Sequence, residues 1–164
     1  LRGAGIKIRR VKRGGGVSYH GPGQMVASLV CRFLRYADNA HIFLRRLEEV
    51  VLRLLAGYGV AGRRIDGKSG VFVGGDKIAA IGLAVSHSVT MHGMSINIAP
   101  EMRHYEAIIA CGLAENGITS LERLGVRVDY NSVRDAWLAS FEEVFGVRPY
   151  AAARGIINKG SANN

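Results

Sequence analysis

Seven apolar residues, Phe43, Leu44, Leu47, Val50, Val51, Leu54 and Leu55, recur at the i, i+3, i+4, i+7 spacing of one helix face. Asp38 or Asn39 can cap the start of that helix, and Gly57 and Gly59 can end it. Arg45, Arg46, Glu48, Glu49 and Arg53 fall largely on the opposite, solvated face. A stripe this regular must be buried against another apolar layer. The rest of the chain supplies that layer as short strand-like pieces.

The strand candidates are punctuated by glycine, which accounts for 22 of the 164 residues, about twice its usual share. Ile6 and Ile8 alternate with Lys7 and Arg9, predicting a strand with one solvated face. Gly14-Gly15-Gly16 follows, then a strand piece Val17 to Tyr19 and a turn at Gly21-Pro22-Gly23. Met25 to Leu34 reads as a buried strand. Val71 to Val73, Ile78 to Val85, Val89 to Met91 and Met94 to Ile98 read as further strands, the last two joined at His92-Gly93. Glu101 to Ile109 suggests a short helix. Ser132 to Phe145 is a second long helix, with a stripe of Val133, Trp137, Phe141, Val144 and Phe145, a capping-box-like Ser132/Asp135 pair and a stop at Gly146. Two packed helices and several strands without βαβ alternation predict an α+β fold. Residues 1–147 form one expected domain and 148–164 a flexible tail.

The charge balance is 22 Lys+Arg against 13 Asp+Glu, a net +9. That favours nucleic acid, an anionic membrane surface or an acidic protein as partner. No apolar run reaches the ~18–20 residues a spanning helix needs. Cys31 and Cys111 are the two cysteines; they lack a CxxC spacing and form no disulfide framework. A reducing compartment, the cytoplasm, follows.

Cys111, in Ala110-Cys111-Gly112, is either a small buried hydrophobe or a nucleophile. A thiol of ordinary pKa, roughly 8.5, is only a few per cent thiolate at neutral pH, so a nucleophile needs a positive neighbour or a base. His20, Lys77, His87, His92 and His104 are the candidates. Lys77 opens the apolar run Lys77-Ile-Ala-Ala-Ile-Gly82; it either caps a strand in solvent or lies against a pocket. The glycine loop Arg13 to Gly16 is either a turn or a backbone cradle for a ligand. It lacks both the P-loop ending and a GxGxxG pattern opening a helix. Cys31 reads as core.

Four ordered blocks carry a more specific signal. Arg13-Gly-Gly-Gly-Val-Ser-Tyr-His-Gly-Pro-Gly-Gln24 resembles the RGGxxTYHGPGQ signature of the octanoyltransferases of lipoate biosynthesis. Gly70-Val-Phe-Val with Lys77-Ile-Ala-Ala-Ile-Gly82 resembles GVWV…KIAAIG. His92-Gly-Met-Ser-Ile-Asn97 resembles HGxALN, and Ala110-Cys111-Gly112 with Ile118-Thr-Ser-Leu121 resembles PCGI…VTSL. Ala110 replaces the family's usual proline.

This resemblance implies a biotin/lipoate protein ligase-like fold, a mixed sheet with helices packed on it, with residues 1–147 as its catalytic domain. It implies octanoyl (or lipoyl) transfer from acyl carrier protein to a lysine of lipoyl domains of 2-oxoacid dehydrogenases or of glycine-cleavage H protein. Cys111 matches the acyl-thioester nucleophile and Lys77 the lysine that lowers its pKa. Arg13, Gly14, Gly15, Gly16, Val17, Ser18, Tyr19 and His20 match the substrate loop. Ala80, Ile81 and Gly82, with Gly93, Met94 and Ser95, match further backbone contacts around the acyl group. No metal or nucleotide cofactor is implied. The family has a segment before the RGG block, and this chain opens just ahead of it. The expectation is a truncated gene product or one half of a split enzyme, with a second polypeptide as partner.

Two other readings compete. An ATP-dependent lipoate–protein ligase would carry a glycine block closer to RRxSGGGxVYHD and would not need Cys111. A basic nucleic-acid-binding module fits the charge, but aromatics are 7% of residues and no RNA-recognition signature is present.

Overall fold

The computed structural model describes residues 7–106 and 117–150. Its architecture is α+β. Five strands, β1 (Gln24–Ser28), β2 (Arg63–Ile65), β3 (Lys68–Val73), β4 (Asp76–Ser86) and β5 (Val89–Asn97), form one sheet in the order β1-β5-β4-β3-β2. Every strand pair is antiparallel, and the parallel component of the expected mixed sheet is an isolated bridge between Lys77 and Ile118.

Helices α1 (Ala40–Gly57) and α3 (Tyr130–Phe145) pack on the sheet and on each other. Asn39 Oδ1 caps α1 by accepting from the Ile42 N–H. The predicted stripe is buried, with Leu44 only partly so. Beneath it lie Val71, Ile78, Ala79, Ile81 and Ile96 of the sheet. Trp137, Phe141 and Phe145 of α3 complete the core, with Phe141 and Phe145 stacked at 4.3 Å. The cap of α3 is Asp129, which accepts from the N–H groups of Asn131 and Ser132 and from the Ser132 hydroxyl; the expected Ser132/Asp135 box does not form.

Other expectations change. Residues 7–13 and 17–19 form no strand, because Ile8, Val11 and Val17 find no layer to cover them. The stretch Met25–Leu34 is strand only to Ser28, and then turns into a 3₁₀ segment, Phe33–Arg35. The two pieces around His92-Gly93 are one continuous β5; His92 sits at φ 64, and a side chain on Gly93 would collide with the Ala27 carbonyl of β1. The short helix α2 spans Arg103–Glu106. Glu48, expected on the solvated face of α1, is fully buried.

Candidate functional site

Lys77 reaches the site through an irregularity in the sheet. Val71 pairs with Ala79 and Phe72 with Lys77, so one step on β3 is matched by two on β4. Strict alternation would put Lys77 on the face of Ala79 and Ile81, toward the helices. The extra residue, Ile78, reverses that, and bulges of this kind re-aim side chains. Lys77 is 5% exposed, and its Nζ lies 5.2 Å from the centroid of the Phe72 ring. It lines a cavity of about 20 Å³ together with Ser18, Tyr19, Ser95, Asn97 and Tyr105. That volume holds little more than one water molecule.

The segment 117–119 is tied to Lys77 and its neighbour Asp76. Gly117 accepts from the Lys77 N–H at 2.9 Å, Thr119 donates to the Lys77 carbonyl at 3.0 Å, and Asp76 Oδ1 accepts from the Gly117 N–H. The chain therefore re-enters the described residues directly beside Lys77. Cys111 itself lies outside the described residues.

Polar side chains form the floor of the cavity. Gln24 Nε2 donates to Asn97 Oδ1 at 2.8 Å and to the Tyr105 hydroxyl, and that hydroxyl donates to Asn97 Oδ1 at 2.8 Å. Asn97 Nδ2 donates to the Thr119 carbonyl, and the Gly21 N–H donates to Gln24 Oε1. The Tyr19 hydroxyl and His104 Nδ1 share a hydrogen bond of 2.7 Å. Burial, helped by the Glu101 carboxylate, holds the Tyr19 phenol above its ordinary pKa. His20 moves the other way: desolvation lowers its pKa, Arg13 adds to that, and a hydrogen bond with Gln24 opposes it.

The glycine loop crosses β4 at its far half. The Gly14 N–H donates to the Leu83 carbonyl at 3.0 Å, and Arg13 Nη1 donates to the Gly14 carbonyl. A Cβ on Gly82 would stand 3.1 Å from Arg13 Nη1 and from the Gly14 carbonyl, so glycine there lets the loop lie flat on the strand. Beside it opens a groove of about 260 Å³ lined by Gly14, Gly15, Ile81, Gly82 and Leu83, with Ala40, His41 and Leu44 from α1.

The expected site residues thus divide. Val17, Ser18, Tyr19, Lys77, Ala80 and Ser95 meet at the cavity; Gly14, Gly15, Ile81 and Gly82 meet at the groove. Gly16 lies exposed between the two groups. Met94 turns its side chain away, where its sulfur accepts from Trp137 Nε1. Asn97, Tyr105, Ile78 and Ile118 were not foreseen. Asn97 and Gln24 end two of the sequence blocks and could have been picked out on that ground, whereas nothing in the sequence marks Tyr105. Among the described residues no group of three or more His, Cys, Asp or Glu could hold a metal ion, and no helix is long and apolar enough to cross a membrane.

The family profile "Lipoyl protein ligase A/B catalytic domain" matches residues 1–142. The octanoyltransferase of Caldanaerobacter subterraneus subsp. tengcongensis is 39% identical over 142 residues, which cover 87% of this chain and 62% of that protein. The octanoyltransferase of Chloroflexus aggregans is 40% identical over 156 residues, 93% of this chain and 71% of the relative. The first relatives matched are spanned over only about three-fifths of their length. In fold, lipoate-protein ligase A bound with ATP superposes with a TM-score of 0.69 at 19% identity, covering 88% of this chain and 61% of that one. The bi-partite lipoate protein ligase of Thermoplasma acidophilum does so with a TM-score of 0.71 at 20% identity, covering 88% and 60%.

Proposed function

Because the chain belongs to the lipoyl protein ligase A/B catalytic-domain family, we propose that it transfers an octanoyl group from acyl carrier protein to a lysine of a lipoyl domain or of H protein. The observation that carries this reading is Lys77, a lysine that a bulge between β3 and β4 turns into a buried cavity shared with Ser18 and Tyr19.

In this reading Cys111 is the nucleophile. Its thiolate attacks the thioester carbonyl of octanoyl-carrier protein, the carbon–sulfur bond to the carrier breaks, and the carrier's sulfur leaves as a thiol with the proton given up by the Lys77 ammonium. The acyl-enzyme is then attacked by the acceptor lysine amine, which forms the amide and returns the Cys111 sulfur as leaving group. The Lys77 ammonium stabilises the thiolate by charge, and its neutral form takes the proton that the attacking amine gives up. The groove between the glycine loop and β4 is apolar enough for the octanoyl chain, each buried CH₂ of which contributes ~0.8 kcal/mol.

Residues 1–147 constitute the catalytic unit in this proposal, working in a reducing compartment, the cytoplasm, where a thiol persists. Lys7, Arg9, Arg10 and Lys12 lie exposed ahead of the loop, and their charge suits an acidic carrier by speeding encounter.

Intact-protein mass spectrometry after mixing with octanoyl-loaded carrier tests it. The expected result is a hydroxylamine-sensitive octanoyl adduct on the wild type, absent from Cys111→Ser and slow to form on Lys77→Met. Uptake that requires ATP, or an adduct that persists in Cys111→Ser, overturns the reading.

A further inference from the structure

We infer that Asn97, clamped by Gln24 and Tyr105, is a positioning residue that sets Lys77 and the glycine loop in one fixed relation. The inference rests on the acyl-transfer reading for its kinetic consequence, but the geometry stands apart from it.

Asn97 is 5% exposed and its amide is almost fully committed. A carboxamide oxygen has two lone pairs, and here both are taken, one by Gln24 Nε2 and one by the Tyr105 hydroxyl. Its nitrogen donates to the Thr119 carbonyl. Turning the amide over would set its NH₂ against two donors, so a single orientation is imposed. The three partners come from three separate segments. Gln24 begins β1 and accepts from the Gly21 N–H, in the turn that closes the Arg13-to-Gln24 block carrying the glycine loop. Tyr105 belongs to α2, and its ring stands edge-on to Tyr19 at 5.3 Å. Thr119 donates its own N–H to the Lys77 carbonyl.

One side chain therefore joins the loop, α2 and the backbone of Lys77, and it does so on the wall of the cavity that Lys77 lines. A cross-link serving stability alone has no reason to face that cavity. Buried polar networks of this kind fix one arrangement because a half-satisfied version is costly. Misplacing a reacting group by about 1 Å can cost on the order of 100-fold in rate.

The test uses the full chain labelled with [ε-¹³C]lysine, so that the Lys77 resonance can be titrated and assigned by its loss in Lys77→Arg. Acylation by octanoyl-carrier protein is followed in parallel at varied carrier concentration. Tyr105→Phe keeps the ring against Tyr19 and removes one donor to Asn97; Asn97→Ala removes the junction. The expected result for Tyr105→Phe is an unchanged thermal midpoint, a displaced Lys77 titration, and a saturating acylation rate lowered about tenfold with half-saturation within about twofold. If both variants titrate Lys77 as the wild type does, the positioning role is overturned. Should Asn97→Ala not fold, Tyr105→Phe decides alone. A wild type that takes up no octanoyl sinks the acyl-transfer reading only, since the Lys77 titration still decides the role of Asn97.

Discussion

Gly70 leaves room for Lys77 across the β3–β4 pair: a Cβ placed on Gly70 would lie 3.3 Å from Lys77 Cε and inside contact distance of the Ala79 carbonyl oxygen. Gly70 also has φ 107, a conformation that L side chains rarely adopt. Both features follow from the bulge that re-aims Lys77, so the glycine of the Gly70-Val-Phe-Val block is explained by the lysine it accommodates. Gly70→Ala should cost about 2–4 kcal/mol, from the strained φ and the overpacking together. Urea denaturation would measure it. A cost near zero would mean that β3 moves away freely and that Lys77 is not held by this contact.

Behind Gly70 stands Glu48. This carboxylate is fully buried, accepts from the Gly70 N–H at 2.9 Å, and pairs with Arg45 at 2.8 Å and Arg64 at 3.2 Å. Removing it strands a buried N–H and leaves two guanidinium groups without this partner, and breaking such a pair typically costs about 3–5 kcal/mol. Glu48→Ala should lose that much in a chemical melt. Glu48→Gln, which keeps an acceptor for Gly70, should lose clearly less. Equal losses would assign the stabilisation to the ion pairs rather than to the strand contact.

The helices were readable in the sequence because their stripes are long and periodic: every predicted position from Phe43 to Leu55 is buried or packed against the core. Glu48 is misread because its charge, like that of the adjacent Glu49, argues for the outward side, whereas the tertiary placement of Gly70 and Arg64, with Arg45 one turn back, makes a buried carboxylate tolerable. Lys77 was undecidable for a related reason. Alternation cannot register a bulge, and one inserted residue moves a side chain to the opposite face. The glycine blocks announced a site, and they mark where backbones come together: Gly82 under the loop, Gly93 under β1, Gly70 beside Lys77. Tyr105 was invisible because its partners, Gln24 and Asn97, are 81 and 8 residues away.

His20 should titrate below the 6.5 of an ordinary imidazole, because burial disfavours its charged form and Arg13 repels it. The unfolded chain then binds a proton more readily than the folded one. The contribution of His20 to stability is complete above about pH 6.5 and is lost as pH falls toward the lowered folded value. A ¹H–¹⁵N titration of the imidazole gives the midpoint directly. His20→Gln should flatten the acid side of the stability curve. A midpoint at or above that of a free histidine would mean that the Gln24 hydrogen bond outweighs desolvation and the Arg13 charge.

Gly82→Val should separate binding from folding. A side chain there pushes against Arg13 and the Gly14 carbonyl, both at about 3.1–3.2 Å from a Cβ. The loop it displaces is exposed at Gly14, Gly15 and Gly16 and is held to β4 by the Gly14-to-Leu83 backbone bond, so lifting it exposes little apolar surface. The expected stability change is within about 1 kcal/mol, as for surface substitutions generally. Amide exchange at Gly14 should accelerate, because the bond that protects it is opened. The groove beside the loop, which includes Gly14, Gly15 and Gly82 among its walls, loses its shape at the same step. Octanoyl uptake should then need a higher carrier concentration, with the saturating rate less affected, since the surroundings of Lys77 at the other half of β4 are untouched. Faster Gly14 exchange with unchanged half-saturation would place the acyl chain elsewhere than in this groove.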